Sequence, residues 1–109
     1  MRAIVLGLLF TVGVAGAAAA QDAKAKGEKL YVDQKCALCH SIGGKGNVKG
    51  PLDNVGSKLS ADEIRLWLVD TKTMATKTKA ERKPPMRSYS SLPKEDVDAL
   101  VTYLSSLKK

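Results

Sequence analysis

Histidine, tryptophan and phenylalanine each occur once in these 109 residues, cysteine occurs twice, and aromatic residues make up only 5% of the chain. Two cysteines are too few for a small fold stapled by several disulfides. With a single histidine they also fall short of the four ligands of a self-contained structural zinc site. Acidic residues number 11 against 18 Lys and Arg, which leaves a formal charge of +7. The length suits one small domain and argues against two. No internal repeat is visible and no stretch alternates apolar and polar residues for long, so no substantial sheet is expected.

The longest apolar run stands at the start. Met1-Arg2 gives a short positive beginning, Ala3 to Val14 is apolar and softened by glycines, and Ala15 to Ala20 is nearly all small. This is the three-part pattern of a secretory signal, with Ala18-Ala19-Ala20 meeting the small-residue cleavage rule before Gln21. The competing reading is a retained membrane anchor, because an apolar stretch of about 18 residues is near the lower limit for spanning a bilayer. Glycine and alanine dilute its hydrophobicity, so the expected division is a signal peptide at 1–20 and one domain at 21–109. Such a signal implies export, most simply to a bacterial periplasm. Cleavage removes the only phenylalanine and leaves Trp67, Tyr31, Tyr89 and Tyr103 as the aromatic residues. A domain this small is marginal without help, and a large apolar group would make up the shortage.

Three segments read as helices. The first spans about Ala23 to Gln34, with Leu30 and Tyr31 as its bulky apolar residues and Gly27 one turn earlier. The second opens at Ser60-Ala61-Asp62-Glu63, where Ser and Glu three residues apart form a capping box. Ile64, Trp67 and Leu68 follow on one face. The third follows Pro93, which suits a first helical position, and carries Glu95 and Asp96 near the positive helix start. Val97, Leu100, Val101, Leu104 and Leu107 then make an apolar stripe, with Lys108-Lys109 at the negative end. Between these segments, Ser41 to Lys58 is rich in glycine and reads as loop. Thr71 to Leu92 is polar, carries Pro84-Pro85, and is too long for an idle connection.

Both cysteines and the histidine fall within Cys36-Ala37-Leu38-Cys39-His40. This C-x-x-C-H spacing is the attachment signature of c-type haem. One turn of helix brings the two thiols to the same side, where they can form thioethers with the vinyl edges of the macrocycle, and the adjacent imidazole can face the iron. A thioredoxin-like redox pair would need a βαβ context, which is missing. A disulfide would leave His40 without a role.

With these residues in view the chain from Gln21 onward resembles a small class I cytochrome c. The likeness rests on Gly27-x-x-x-Tyr31 before the haem motif, Gly50-Pro51 after it, and a methionine ahead of a last helix carrying Ala99-Leu100-Val101-Thr102-Tyr103-Leu104. It implies an all-α fold of three main helices packed around one covalently attached haem c, with Cys36 and Cys39 as thioether links and His40 as an axial iron ligand. Gly27, Tyr31 and Tyr103 match the close crossing of the first and last helices. The second axial ligand is Met86 or Met74, the alternative being an iron left open or water-ligated. Met86, in the stiff Pro84-Pro85-Met86 loop before the last helix, is preferred, because the family's ligand lies there. The resemblance also puts the carbonyl that orients His40 at Pro51. Trp67 is either a propionate donor or a core residue, and Tyr89 either a wall of the haem pocket or a loop anchor.

If protein fills both axial positions, the iron can only change valence, and the expectation is an electron carrier rather than an enzyme. No paired carboxylates, nucleophile–base pair or phosphate loop offers a rival active site. Lys72, Lys77, Lys79, Arg82, Lys83 and Arg87 are opposed between 72 and 87 only by Glu81. A basic rim of this kind would steer redox partners with acidic docking surfaces, such as an oxidase, reductase or dehydrogenase; the alternative is a loop that merely keeps the protein soluble. Nucleic acid is not an expected partner. Two other classes remain open: a haem subunit docked to a dehydrogenase, and a ligand-binding or sensing cytochrome in which Met86 is off the iron.

Overall fold

Alanine is the strongest helix former, and the alanine-rich segment ahead of Gln21 is helical. The computed structural model describes residues 15–108. Residues 1–14 of the expected signal, and Lys109, lie outside the described residues. Helix α1 (Ala15–Asp33) therefore starts earlier than the sequence pattern suggested. Among the described residues no helix is long and apolar enough to cross a membrane.

Beyond α1, Gln34 still donates to the Leu30 carbonyl, and Lys35 turns the chain with a left-handed φ of 57°. A single 3-10 turn, Cys36–Leu38, follows. Strands β1 (Ser41–Ile42) and β2 (Lys45–Gly46) pair antiparallel around Gly43 and Gly44, whose φ angles of 59° and 78° fit a tight hairpin turn. The segment expected to be wholly loop thus holds this small hairpin and a one-turn helix, α2 (Val55–Lys58). With two residues per strand, no substantial sheet forms among the described residues.

Helix α3 (Ala61–Val69) begins as the capping box predicts. The Glu63 N–H donates to Ser60 Oγ at 3.1 Å, and the Ser60 N–H donates to Glu63 Oε1 at 3.0 Å. Ile64 and Leu68 are buried beneath it. The next helix, α4 (Thr71–Lys77), corrects the reading of 71–92 as one loop. β-Branched threonines weaken helix propensity, but here their hydroxyls bond back to the preceding turn, Thr71 to the Trp67 carbonyl at 2.6 Å and Thr76 to that of Lys72 at 2.9 Å. Burial of Thr71 and Met74 completes the override. Only the remainder, through Pro84-Pro85 to Leu92, is irregular.

Helix α5 (Lys94–Ser105) takes Pro93 as its N-cap, one position earlier than expected. Its stripe of Val97, Leu100, Val101 and Leu104 joins Tyr31, Ile64, Leu68, Tyr89 and Tyr103 in the core. Leu107 lies just past the helix, where its carbonyl accepts from the Gly56 N–H at 2.8 Å and fastens α2 to the end of α5. The crossing of α1 and α5 dominates the packing. Gly27 is buried there against the Ala99 carbonyl, and the Tyr31 and Tyr103 rings meet edge to face with centroids 6.0 Å apart. Lys26–Asp96 at 3.0 Å and Arg65–Asp98 at 2.6 Å tie α1 and α3 to the same helix.

Candidate cofactor site

The turn after α1 presents Cys36, Cys39 and His40 as one unit. The N–H groups of Cys39 and His40 both donate to the Cys36 carbonyl, at 3.1 and 2.9 Å, so a single tight turn separates the two thiols. Both cysteines are free and half-buried. Burial pushes the Cys36 thiol up, while a hydrogen bond with Tyr89 and the Arg87 charge pull the other way.

His40 is held by its own loop. Its Nδ1 lies 3.0 Å from the Gly50 carbonyl, so the proton sits on Nδ1 and Nε2 keeps its lone pair. Burial lowers its pKa, which favours the neutral imidazole that a metal needs. The acceptor is therefore Gly50, one residue before the expected Pro51. The reason lies in the backbone: the Gly50 carbonyl already faces Ser41, whose N–H donates to it at 3.1 Å, and Leu52 donates back to the Ser41 carbonyl at 2.8 Å. Pro51 sits exposed in the bridge between these bonds and leaves its carbonyl out of the histidine's reach of hydrogen bonding. Gly46, at φ 105°, and Gly50 close the cradle. A Cβ on Gly46 would strike the His40 carbonyl, and one on Gly50 would strike the Cys39 carbonyl and approach His40 Nδ1 to 3.0 Å.

The two candidate methionines sit in different surroundings. Met86 is half-buried, packs against the core cluster that contains Tyr89, and lines a cleft of about 450 Å³ with Pro85, Ala80 and the α4 residues Lys72, Ala75 and Thr76. Met74 is buried on α4, apart from that cluster. Tyr89 anchors its loop and lies beside the first cysteine of the turn. Its N–H donates to the Leu68 carbonyl at 2.7 Å, anchoring the loop, and its buried ring adjoins Cys36. Trp67 is half-buried on α3, where its carbonyl accepts from Thr71, and its indole makes no hydrogen bond among the described residues.

These residues fit a c-type haem. Two free thiols one turn apart and an imidazole with only Nε2 available form a donor set on one turn that the glycine cradle fixes, with the Met86 thioether as a candidate second ligand. The family model for cytochrome c matches residues 24–108. The chain belongs to the cytochrome c family. Members of that family are electron-transfer proteins whose haem c is bound covalently. The chain is also 26% identical over 92 residues to cytochrome c oxidase subunit 2 of Alkalihalophilus pseudofirmus, a match that takes in 76% of this chain and 25% of that protein. It thus spans about a quarter of the length of the curated relative it matches. No solved structure matches it.

Three contributors to this cytochrome c site escape the sequence reading. Asn47 donates its N–H to the Ala37 and His40 carbonyls at 3.0 and 2.9 Å, and its Nδ2 to the Leu38 carbonyl at 3.2 Å, so it knits the loop to the haem motif. Arg82 donates to the Cys39 carbonyl at 2.6 Å, and Arg87 reaches Gln34. An asparagine after a glycine in a loop is a weak signal for turn chemistry. The two arginines were legible only as charge.

Proposed function

We propose that the chain is an exported, periplasmic one-electron carrier with a single haem c, attached through Cys36 and Cys39, and with His40 and Met86 as axial ligands. The observation that carries this reading is the His40–Gly50 hydrogen bond, which commits Nδ1 and leaves Nε2 as the only ring nitrogen free for iron. When bound, the haem supplies a one-electron couple between ferrous and ferric iron.

The protein's own residues do the rest. His40 and Met86 would together hold the iron and leave it no site for a substrate, so the reading is a carrier rather than an enzyme. A neutral thioether opposite an imidazole favours the ferrous state and raises the potential. Met86 is preferred over Met74 because it adjoins the cluster that also packs Cys36 and Tyr89. Lys72, Lys77, Lys79 and Lys83 are exposed around this segment and make no ion pair among the described residues. They would draw in acidic docking surfaces and make association weaken with salt. The likeness to part of an oxidase subunit supports a terminal oxidase as the acceptor class. Export rests on the Met1–Ala20 pattern, with cleavage before Gln21.

The test is an absorption spectrum of both redox states of the exported protein beside Met86→Ala and Met74→Ala. A low-spin spectrum whose weak ferric iron–methionine band disappears only in Met86→Ala is expected. Loss of the band in Met74→Ala, or a high-spin wild type, would overturn the ligand assignment.

A further inference from the structure

The segment that carries Met86 has almost no backbone support. From Glu81 to Ser88 no backbone N–H donates to another backbone carbonyl among the described residues, and two of these positions are prolines with no N–H to offer. Regular bonding resumes only at Tyr89, on the Leu68 carbonyl. Two arginine side chains stand in its place, one at each end of Lys83-Pro84-Pro85-Met86. Arg82 Nη1 donates to the Cys39 carbonyl at 2.6 Å and crowds the Cα of Gly50, whose carbonyl holds His40. Arg87 Nη2 lies 3.3 Å from the Gln34 carbonyl and 3.2 Å from Gln34 Oε1, and its guanidinium stacks over the Tyr89 ring, 5.0 Å from the centroid. Gln34 and Cys39 bracket the haem-attachment turn. The arginines therefore join the two ends of one short segment to the two ends of the other.

We propose that Arg82 and Arg87 are positioning residues that clamp the Met86 segment onto the C-x-x-C-H turn and so set how readily Met86 is displaced from the axial position. The inference rests on the His40/Met86 reading. A ligand held on a loop with so little backbone bonding leaves its position in proportion to how often the loop opens, and a competing ligand binds in proportion to that open fraction. The acceptors are carbonyl and amide oxygens without charge, so the clamp works by hydrogen bonding and resists salt, unlike docking through the surrounding lysines.

The test is a titration of the ferric holoprotein with imidazole, followed by loss of the iron–methionine band, in wild type, Arg82→Gln, Arg87→Gln, the double variant and Lys77→Gln. Lys77 is an exposed α4 cation, and its substitution removes the same charge without touching the clamp. Each arginine variant is expected to bind imidazole about three- to tenfold more tightly, the value of one hydrogen bond. The double variant should multiply the two effects, Lys77→Gln should match wild type, and the pattern should persist at high salt. Arg82→Lys, which keeps one donor for one carbonyl, should recover part of the loss; spectroscopic haem content checks that every variant is assembled. Wild-type affinity in both arginine variants, or an equal change in Lys77→Gln, would overturn the clamp alone. A wild type without the band, or a Met86→Ala protein that retains it, would overturn the ligation reading and the clamp with it.

Discussion

Gly27 lies directly against the carbonyl oxygen of Ala99, with no room for a methyl group between the helices that carry them. A Cβ at Gly27 would also come within 2.6 Å of Tyr103 Cβ, and the first obstacle is backbone, which cannot rotate away. Gly27→Ala is therefore expected to force α1 and α5 apart and to cost about 1–3 kcal/mol, the range for overpacking a tight contact. Chemical denaturation of the holoprotein measures it. An unchanged midpoint would mean the helices cross loosely enough to admit a methyl group.

A second close approach joins the fold to the iron site. Gly50→Ala places a methyl group against the Cys39 carbonyl and beside His40 Nδ1. Relief requires the 40–50 loop to move and to carry the His40 acceptor with it. The expected result is a changed imidazole orientation, read as shifted haem resonances in the NMR spectrum of the ferric protein, together with a loss of about 1–3 kcal/mol in stability. Pro51→Ala, at an exposed position whose carbonyl does not hold His40, should move these resonances far less.

The sequence is most informative where one short stretch carries a complete physical instruction. Ser60 and Glu63 state both halves of a capping box, and α3 starts where they say. The apolar stripe after Pro93 states a helix, and α5 forms with that face inward. The C-x-x-C-H run needs only one local turn to bring its side chains together. Helix α4 was hidden because its threonines favour other backbone states in isolation; their hydroxyl bonds and the burial of Met74 appear only once the chain is folded. The His40 acceptor was misplaced by one residue because register across the Ser41–Pro51 bridge decides it. Arg82 and Arg87 find their partners 43 and 53 residues away, and no local pattern records such pairings.

Tyr31 links stability to alkaline pH. Burial, with Cys36 and Tyr103 beside it, pushes its pKa from 10 up to about 12, and burial raises Tyr89 and Tyr103 as well. The unfolded chain ionises these phenols in their ordinary range while the folded protein keeps them protonated. Stability is thus intact below pH 10 and falls as the pH rises from 10 toward about 12. The Tyr31 hydroxyl is buried with no hydrogen-bond partner among the described residues. Tyr31→Phe should accordingly raise stability at neutral pH by about 1 kcal/mol and flatten the alkaline fall. Urea unfolding at pH 7 and across the alkaline range checks both, and a destabilised Tyr31→Phe would mean the hydroxyl is bonded after all.

Whether this cytochrome carries electrons or binds ligands depends on whether its iron is closed. Carbon monoxide added to the dithionite-reduced holoprotein at neutral pH tests that most directly, with Met86→Ala as the open-site reference. Ligation by His40 and Met86 predicts no change in the wild-type absorption spectrum and ready formation of a carbonyl complex in Met86→Ala. A wild type that binds carbon monoxide as readily as the variant would contradict it and make ligand binding the function to pursue.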